Sequence, residues 1–359
     1  MKIAFISSGN SIHVKKIANA LSKKGHAITL YTLKNHDKLL GDFDSSVRIV
    51  KLPISGKKGY YLNAFKLKKM IKKEKFDLIN AHYATGYGTL ARLVNTHPYV
   101  LAVFGSDVYE YPYKSKMAMK QVKKNLDAAD VLTSTSNVMK KEVLKFYKSN
   151  KEIYVTPFGV DLKKFHKNEI EEKDYFEFGI VKKIEPKYGI DILIKAYSMF
   201  CKEFKDVKSK LVIYGKGSAE EEYKCLAKKL NIVDSVEFKG FIKNDLVPKA
   251  FSEMDVACFP SIVDSESFGV AAVEAMACSI PIIASDASGF TEVIDNGTTG
   301  IIVPKKSESE LFEAMKRMYL MSYEERKAMG ISGRLRVEQL YDFEKNMDDY
   351  EKAIMHAVK

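Results

Sequence analysis

Short apolar runs that end in Gly, Ser or Asp alternate along this chain with stretches whose apolar positions recur every three or four residues. "KIAFISS" (2–8) is followed by "IHVKKIANALSKKG" (12–25), in which Val14, Ile17, Ala18 and Leu21 share one helical face and Gly25 ends the turn. "HAITLYTL" (26–33), "FDLINAH" (76–82), "YVLAVFG" (99–105), "DVLTSTS" (130–136) and "IYVTPFG" (153–159) are further predicted strands. Runs that are continuously apolar, rather than alternating, belong to parallel sheets covered on both faces. The pattern restarts after the charged stretch 163–175, with strands expected at 176–183, 210–217, 235–241, 256–261, 280–286 and 300–304. The predicted class is therefore α/β, two doubly wound halves facing a cleft. Domains are expected at 1–165 and 166–340, with an amphipathic helix over 341–359 packing back on the first. In such sheets a ligand sits beyond the carboxyl ends of the strands.

A length of 359 residues suits two domains of ordinary size. No stretch approaches the roughly 18 apolar residues that cross a bilayer, and the first residues read as a buried strand rather than a signal segment. Cys201, Cys225, Cys258 and Cys278 form no closely spaced pair, which fits a reduced, cytoplasmic chain. The net charge of +12 concentrates in "KGYYLNAFKLKKMIKKEK" (58–75) and "KMAMKQVKK" (116–124). Both clusters mix Lys with Tyr, Phe or Met, which adds an anionic membrane surface, the inner face of the cell membrane, to the expected partners. Nucleic acid is not expected, because no aromatic RNA-binding signature, zinc-finger spacing or heptad-linked basic helix is present.

The most informative stretch is "FPSIVDSESFGVAAVEAMA" (259–277). A strand ends at Pro260, a polar loop follows, and a helix is predicted from Ser267–Phe268, with Gly269 in its first turn. Backbone N–H groups at such a helix start favour an anion such as a diphosphate. Glu266 stands at that start. Glu274 lies about two turns on, among Val, Ala and Met, where a carboxylate needs a partner; the hydroxyls of a ribose are one. An isolated pair of this kind is more often a capping Glu266 and a Glu274 held by an amide or a lysine.

The spacing and neighbours resemble the Glu–seven residues–Glu motif of retaining, nucleotide-sugar-dependent glycosyltransferases of family 4, which have the two-domain GT-B fold. The resemblance runs nearly the whole chain and is most specific over 259–304. It implies that Glu266 contacts the donor sugar, that Ser267, Phe268 and Gly269 serve sugar and phosphate, and that Glu274 takes the ribose hydroxyls. "VKKIEPKYGIDILIKAY" (181–197) resembles the donor-diphosphate clamp, with Lys187 and one of Lys182 and Lys183 supplying the charge. Lysine lacks the bidentate fork of the arginine usual there. Gly9 in the loop after the first strand, Gly215 in "YGKGS", Phe241 and Ile242 in "KGFI", and Gly289 in "SDASGF" match further donor-side positions, Phe241 and Ile242 those that meet the base. Many relatives carry a histidine where this chain has Phe104, so His82 and Asp107 are the polar catalytic candidates of the first half.

The resemblance implies transfer of a hexose or N-acetylhexosamine from a nucleotide donor, UDP-linked by expectation, to a glycan or lipid-linked acceptor. The setting would be cell-envelope polysaccharide or lipopolysaccharide assembly. No resident cofactor and no metal are expected: the only Asp-x-Asp, "DFD" (42–44), is far in sequence from the clamp. A nucleotide-sugar epimerase or hydrolase on the same scaffold, and a non-catalytic nucleotide-sugar-binding protein, are the alternatives. A dinucleotide oxidoreductase is disfavoured, since the first turn lacks Gly-x-Gly-x-x-Gly.

Overall fold

The structure, a computed structural model, describes residues 1–358. It divides into two compact units, Met1–Phe158 with Lys345–Lys359, and Gly159–Glu344. The first unit contains β1 (Lys2–Ile6), β2 (Ala27–Leu33), β3 (Arg48–Leu52), β4 (Leu78–His82), β5 (Tyr99–Val103), β6 (Val131–Ser134) and β7 (Ile153–Val155). All neighbours pair in parallel, in the order β3-β2-β1-β4-β5-β6-β7. The second contains β8 (Phe176–Val181), β9 (Ser209–Tyr214), β10 (Val236–Gly240), β11 (Val256–Phe259), β12 (Ile282–Ser285) and β13 (Gly300–Val303), also parallel, ordered β10-β9-β8-β11-β12-β13.

Local chemistry explains the elements. Ser11 caps the helix Ile12–Lys23 by accepting from the Val14 amide, and the face formed by Val14, Ile17, Ala18 and Leu21 is buried, as its spacing predicts. Ile3 to Ile6 and all of β4 and β5 are buried, which is why they read as uninterrupted apolar runs. β3 was not anticipated. It lies at the sheet edge with only Leu52 buried, so its apolar signal is diluted by Arg48 and Lys51.

The segment after Phe158 belongs to the second unit: Val160 bridges Asp342, and the Phe343 amide donates to the Val160 carbonyl at 3.0 Å. Arg334 holds the Phe165 and Ala277 carbonyls at 2.6 and 2.7 Å. The helix Phe343–Met355 carries Tyr350 into the core of the first unit. There the Asn80 amide donates to the Tyr350 hydroxyl at 2.7 Å, and the same hydroxyl meets His82 Nε2 at 3.2 Å. Among the described residues no helix is long and apolar enough to cross a membrane.

Tyr350→Phe should leave the Asn80 amide and His82 Nε2 unpaired in the core and cost about 1–3 kcal/mol. A drop in the thermal unfolding midpoint is the expected reading; an unchanged midpoint would show that the hydroxyl contributes nothing to stability.

Candidate functional site

In each sheet the strand order reverses once, between β1 and β4 in the first unit and between β8 and β11 in the second. Connections leave such a pair of strands in opposite directions, so a crevice opens at their carboxyl ends. In the second unit that crevice is charged. Lys182 follows β8, and its ammonium lies 2.6 Å from Glu266 Oε2 in the loop after β11. The two side chains are 16% and 11% exposed, so neither charge is well hydrated and each depends on the other. Burial works against the Lys182 charge, but the Glu266 carboxylate, with Tyr188 and Glu274, outweighs it and holds the ammonium above the ordinary lysine value. Ser261 donates to the same carboxylate oxygen at 3.4 Å.

Backbone contacts fix this pair in place. A side chain at Gly215 would put its Cβ 1.8 Å from the Lys182 carbonyl, so the turn after β9 can lie against the end of β8 only with glycine there. The Gly289 amide donates to the Glu266 carbonyl at 2.8 Å, and a Cβ at Gly289 would sit 2.4 Å from that oxygen and 2.5 Å from the Phe268 nitrogen. Asp264 ties the same loops together. It accepts from the Ser288 amide and hydroxyl at 3.1 and 2.9 Å and pairs with Lys305 at 2.6 Å.

The predicted site residues fall into distinct places. Glu274 is half-buried on the helix Val270–Ala277, whose other core positions are Ala272, Val273, Ala275, Met276 and Ala277, and its charge acts on Lys182. Glu266, Lys182 and Glu274 are thus brought together. The helix starts later than its predicted Ser267–Phe268. Gly269 is left-handed (φ 76°) and caps it from outside, so Gly269 is not in the first turn. The side chains of Ser267 and Phe268 are buried, the Phe268 ring edge-on to Tyr341 at 5.4 Å, and only the backbone of this pair can serve a ligand. Of the expected clamp, Lys182 is the lysine at the carboxylate, while Lys183 and Lys187 are exposed. Lys187 stands 5.1 Å from the Tyr188 ring, whose centre is also 4.6 Å from Lys182. Phe241 is 72% exposed just past β10, with Ile242 half-buried beside it.

In the first unit a cavity of about 420 Å³ lies over the β1–β4 reversal, lined by Asn10, His13, His36, Tyr60, Tyr83 and Tyr87, among others. The Tyr87 hydroxyl accepts from the Leu33 amide at 3.1 Å and meets His36 Nδ1 at 2.7 Å. Burial lowers the His36 pKa. His13 stacks on Phe158 with ring centres 3.8 Å apart.

His82 and Asp107 do not join this cavity, which corrects their assignment as catalytic candidates. His82 is fully buried between Phe5 and Phe104, and burial pushes its pKa down to about 3, so it stays neutral. Its Nδ1 has no partner among the described residues. Asp107 is equally enclosed and spends its carboxylate on the amides of Ala84, Phe104 and Gly105 at 2.7, 3.1 and 2.8 Å. Gly9 is also internal, its amide bonded to Thr32 Oγ1 at 2.9 Å. Sequence reading missed Asp264, Lys305, Tyr188 and the tyrosines of the first cavity. Asp264, Lys305, Tyr188 and Tyr83 share one signal, a position just beyond a predicted strand or in the loop that follows it, whereas Tyr60 and Tyr87 lie within the helices Gly56–Leu62 and Gly86–Val94.

Comparisons with known proteins bear on the chain as a whole. Residues 161–336 match the family described as Glycosyl transferases group 1, and residues 2–136 match Glycosyl transferase 4-like. An uncharacterized glycosyltransferase of Methanocaldococcus jannaschii is 30% identical, the alignment covering 84% of this chain and 79% of that protein. A putative teichuronic acid biosynthesis glycosyltransferase of Bacillus subtilis is 29% identical over 70% of this chain and 64% of its own. The crystal structure of Anabaena HepE in complex with UDP superposes with a TM-score of 0.84 at 16% identity, covering 99% of this chain and all of that one. The chain belongs to the family 4-like glycosyltransferases of GT-B fold.

Gly289→Ala should force apart the Glu266 carbonyl and the Phe268 amide and destabilise the second unit by about 1–3 kcal/mol. Faster hydrogen exchange at the residue 289 amide would report the loosened loop; unchanged exchange and midpoint would contradict the tight contact.

Proposed function

We propose that this glycosyltransferase is a retaining enzyme that moves a hexose or N-acetylhexosamine from a UDP-linked donor to a glycan or lipid-linked acceptor in cell-envelope polysaccharide assembly. The observation that carries the donor side is the Lys182–Glu266–Glu274 cluster at the β8–β11 reversal. The UDP held by HepE and the teichuronic acid biosynthesis named for the Bacillus relative support the choice of donor and setting.

In this reading the ion pair is the resting form of an anion site. An entering diphosphate takes the Lys182 ammonium, with Lys187 close by at Tyr188, and frees Glu266 to accept from sugar hydroxyls. Glu274 accepts from the ribose diol. As the bond from the anomeric carbon to the diphosphate oxygen breaks, positive charge grows on the sugar and negative charge on the phosphate. The lysines offset the latter without a metal. The acceptor hydroxyl bonds to the anomeric carbon on the face just vacated and gives its proton to the departing phosphate oxygen. No side-chain base is then required of the first unit, which suits a buried, neutral His82 and a fully engaged Asp107. The aromatic cavity of the first unit supplies ring faces and polar edges for an acceptor sugar.

A thermal-shift panel of nucleotides and nucleotide sugars tests this, since a ligand of the folded state raises the midpoint. UDP and a UDP-sugar should give the largest shifts. Lys182→Met should weaken UDP binding by about tenfold or more, the worth of a hydrogen bond to a charged group. Glu274→Ala should abolish the response to uridine itself, and an unaltered response would reject the ribose assignment. Donor that is epimerised or rapidly hydrolysed without acceptor would reject transfer as the activity.

A further inference from the structure

One face of the first unit is used by neither site. Leu67 and Ile71 of the helix Ala64–Glu74, Leu90 and Val94 of Gly86–Val94, and Val122 and Leu126 of Lys116–Ala128 share one core cluster. The three helices therefore lie side by side over one side of the sheet, each touching the next. Their outer surfaces are unusual for water. On Ala64–Glu74, Phe65, Lys66, Lys69, Lys72 and Lys73 face outward, with the Lys69 ammonium 4.4 Å from the Phe65 ring centre. The preceding helix, Gly56–Leu62, exposes Lys57, Lys58, Tyr61 and Leu62. On Lys116–Ala128 the exposed side chains include Lys116, Met117, Lys120 and Lys124.

Two properties coincide here. Neither 56–73 nor 114–126 contains an acidic residue, and Glu74, the first after the former, is engaged by Arg48. Among these lysines Leu62 is 61% exposed, Phe65 70% and Met117 80%. Large apolar side chains set singly on a surface need no explanation, but set among cations on the helices either side of Gly86–Val94 they mark a contact surface.

We infer that this helical face docks on an anionic lipid bilayer, with Leu62, Phe65 and Met117 entering the headgroup boundary and the lysines meeting lipid phosphates. A soluble polyanion would account for the lysines but not for the apolar side chains between them. A second copy of this chain would bring the same positive charge against itself. The inference rests on this surface and not on the donor or acceptor reading.

Flotation of the full chain tests it, using vesicles of phosphatidylglycerol with phosphatidylcholine against phosphatidylcholine alone. The chain should float only with the anionic vesicles and be released by high salt. Each lysine lost near the surface lowers partitioning about fivefold, so the combined Lys66→Glu, Lys69→Glu, Lys72→Glu variant should lose at least about a hundredfold. Leu62→Ser with Phe65→Ser should lose about tenfold or more. All five positions are outside the core, so the unfolding midpoints should stay unchanged. The chain has no tryptophan, so Phe65→Trp provides a single reporter whose emission should shift to the blue with anionic vesicles alone. Equal flotation with neutral vesicles, no flotation at all, or a triple-glutamate variant that still floats would overturn the inference. Serine variants that keep full vesicle binding, with heparin bound as tightly, would identify a surface for soluble polyanions instead.

Discussion

The second unit depends on a charge pair made where two strands diverge. Lys182 and Glu266 come from loops that follow different strands, and both are nearly withdrawn from water. Removing one would leave the other as an uncompensated charge. The surrounding backbone is built around holding them together: Gly215 lets the turn after β9 touch the Lys182 carbonyl, and Gly289 bonds the Glu266 carbonyl. A site assembled this way is stiff in its main chain while its charged tips remain exchangeable. That combination suits a pocket whose occupant is itself doubly charged.

The two units apply one topology to different chemistry. At the β8–β11 reversal the walls carry charge, with Lys182, Glu266, Glu274 and the Asp264–Lys305 pair close by. At the β1–β4 reversal they are aromatic, with His13, His36, Tyr60, Tyr83 and Tyr87 around the cavity. Burial lowers the His36 pKa, while His82 and Asp107 sit apart from the cavity, enclosed in the core. The difference follows from what stands just after each strand. Tyrosines and histidines are packed against Phe104 and Phe158 in one unit, whereas flexible ammonium and carboxylate groups are carried on glycine-bearing loops in the other.

Much of this was legible beforehand for a plain reason. Strands buried on both faces must be continuously apolar, so the interior strands announced themselves; the edge strands β7, β10 and β13 were readable too, but β3, an edge strand interrupted by Arg48 and Lys51, was not. Glu274 was conspicuous because a carboxylate among Val, Ala and Met is costly. Gly269 was conspicuous too, although its left-handed backbone puts it ahead of the helix rather than in it. His82 reads as a polar candidate because sequence reports a residue's chemistry and not its enclosure. Only the helix Phe343–Met355, arriving from the far end of the chain, places Tyr350 against it.

The amino-acid sequence by itself determined the two parallel sheets, the Glu266–Glu274 spacing and the uneven spread of lysine, because periodicity, interval and charge are properties of the chain order. Which of Lys182, Lys183 and Lys187 faces Glu266, and whether a buried histidine can reach a ligand, were decided by tertiary structure alone. Such choices turn on distances of a few ångströms between segments dozens of residues apart, and those are set by how strand ends, glycine contacts and neighbouring helices pack together.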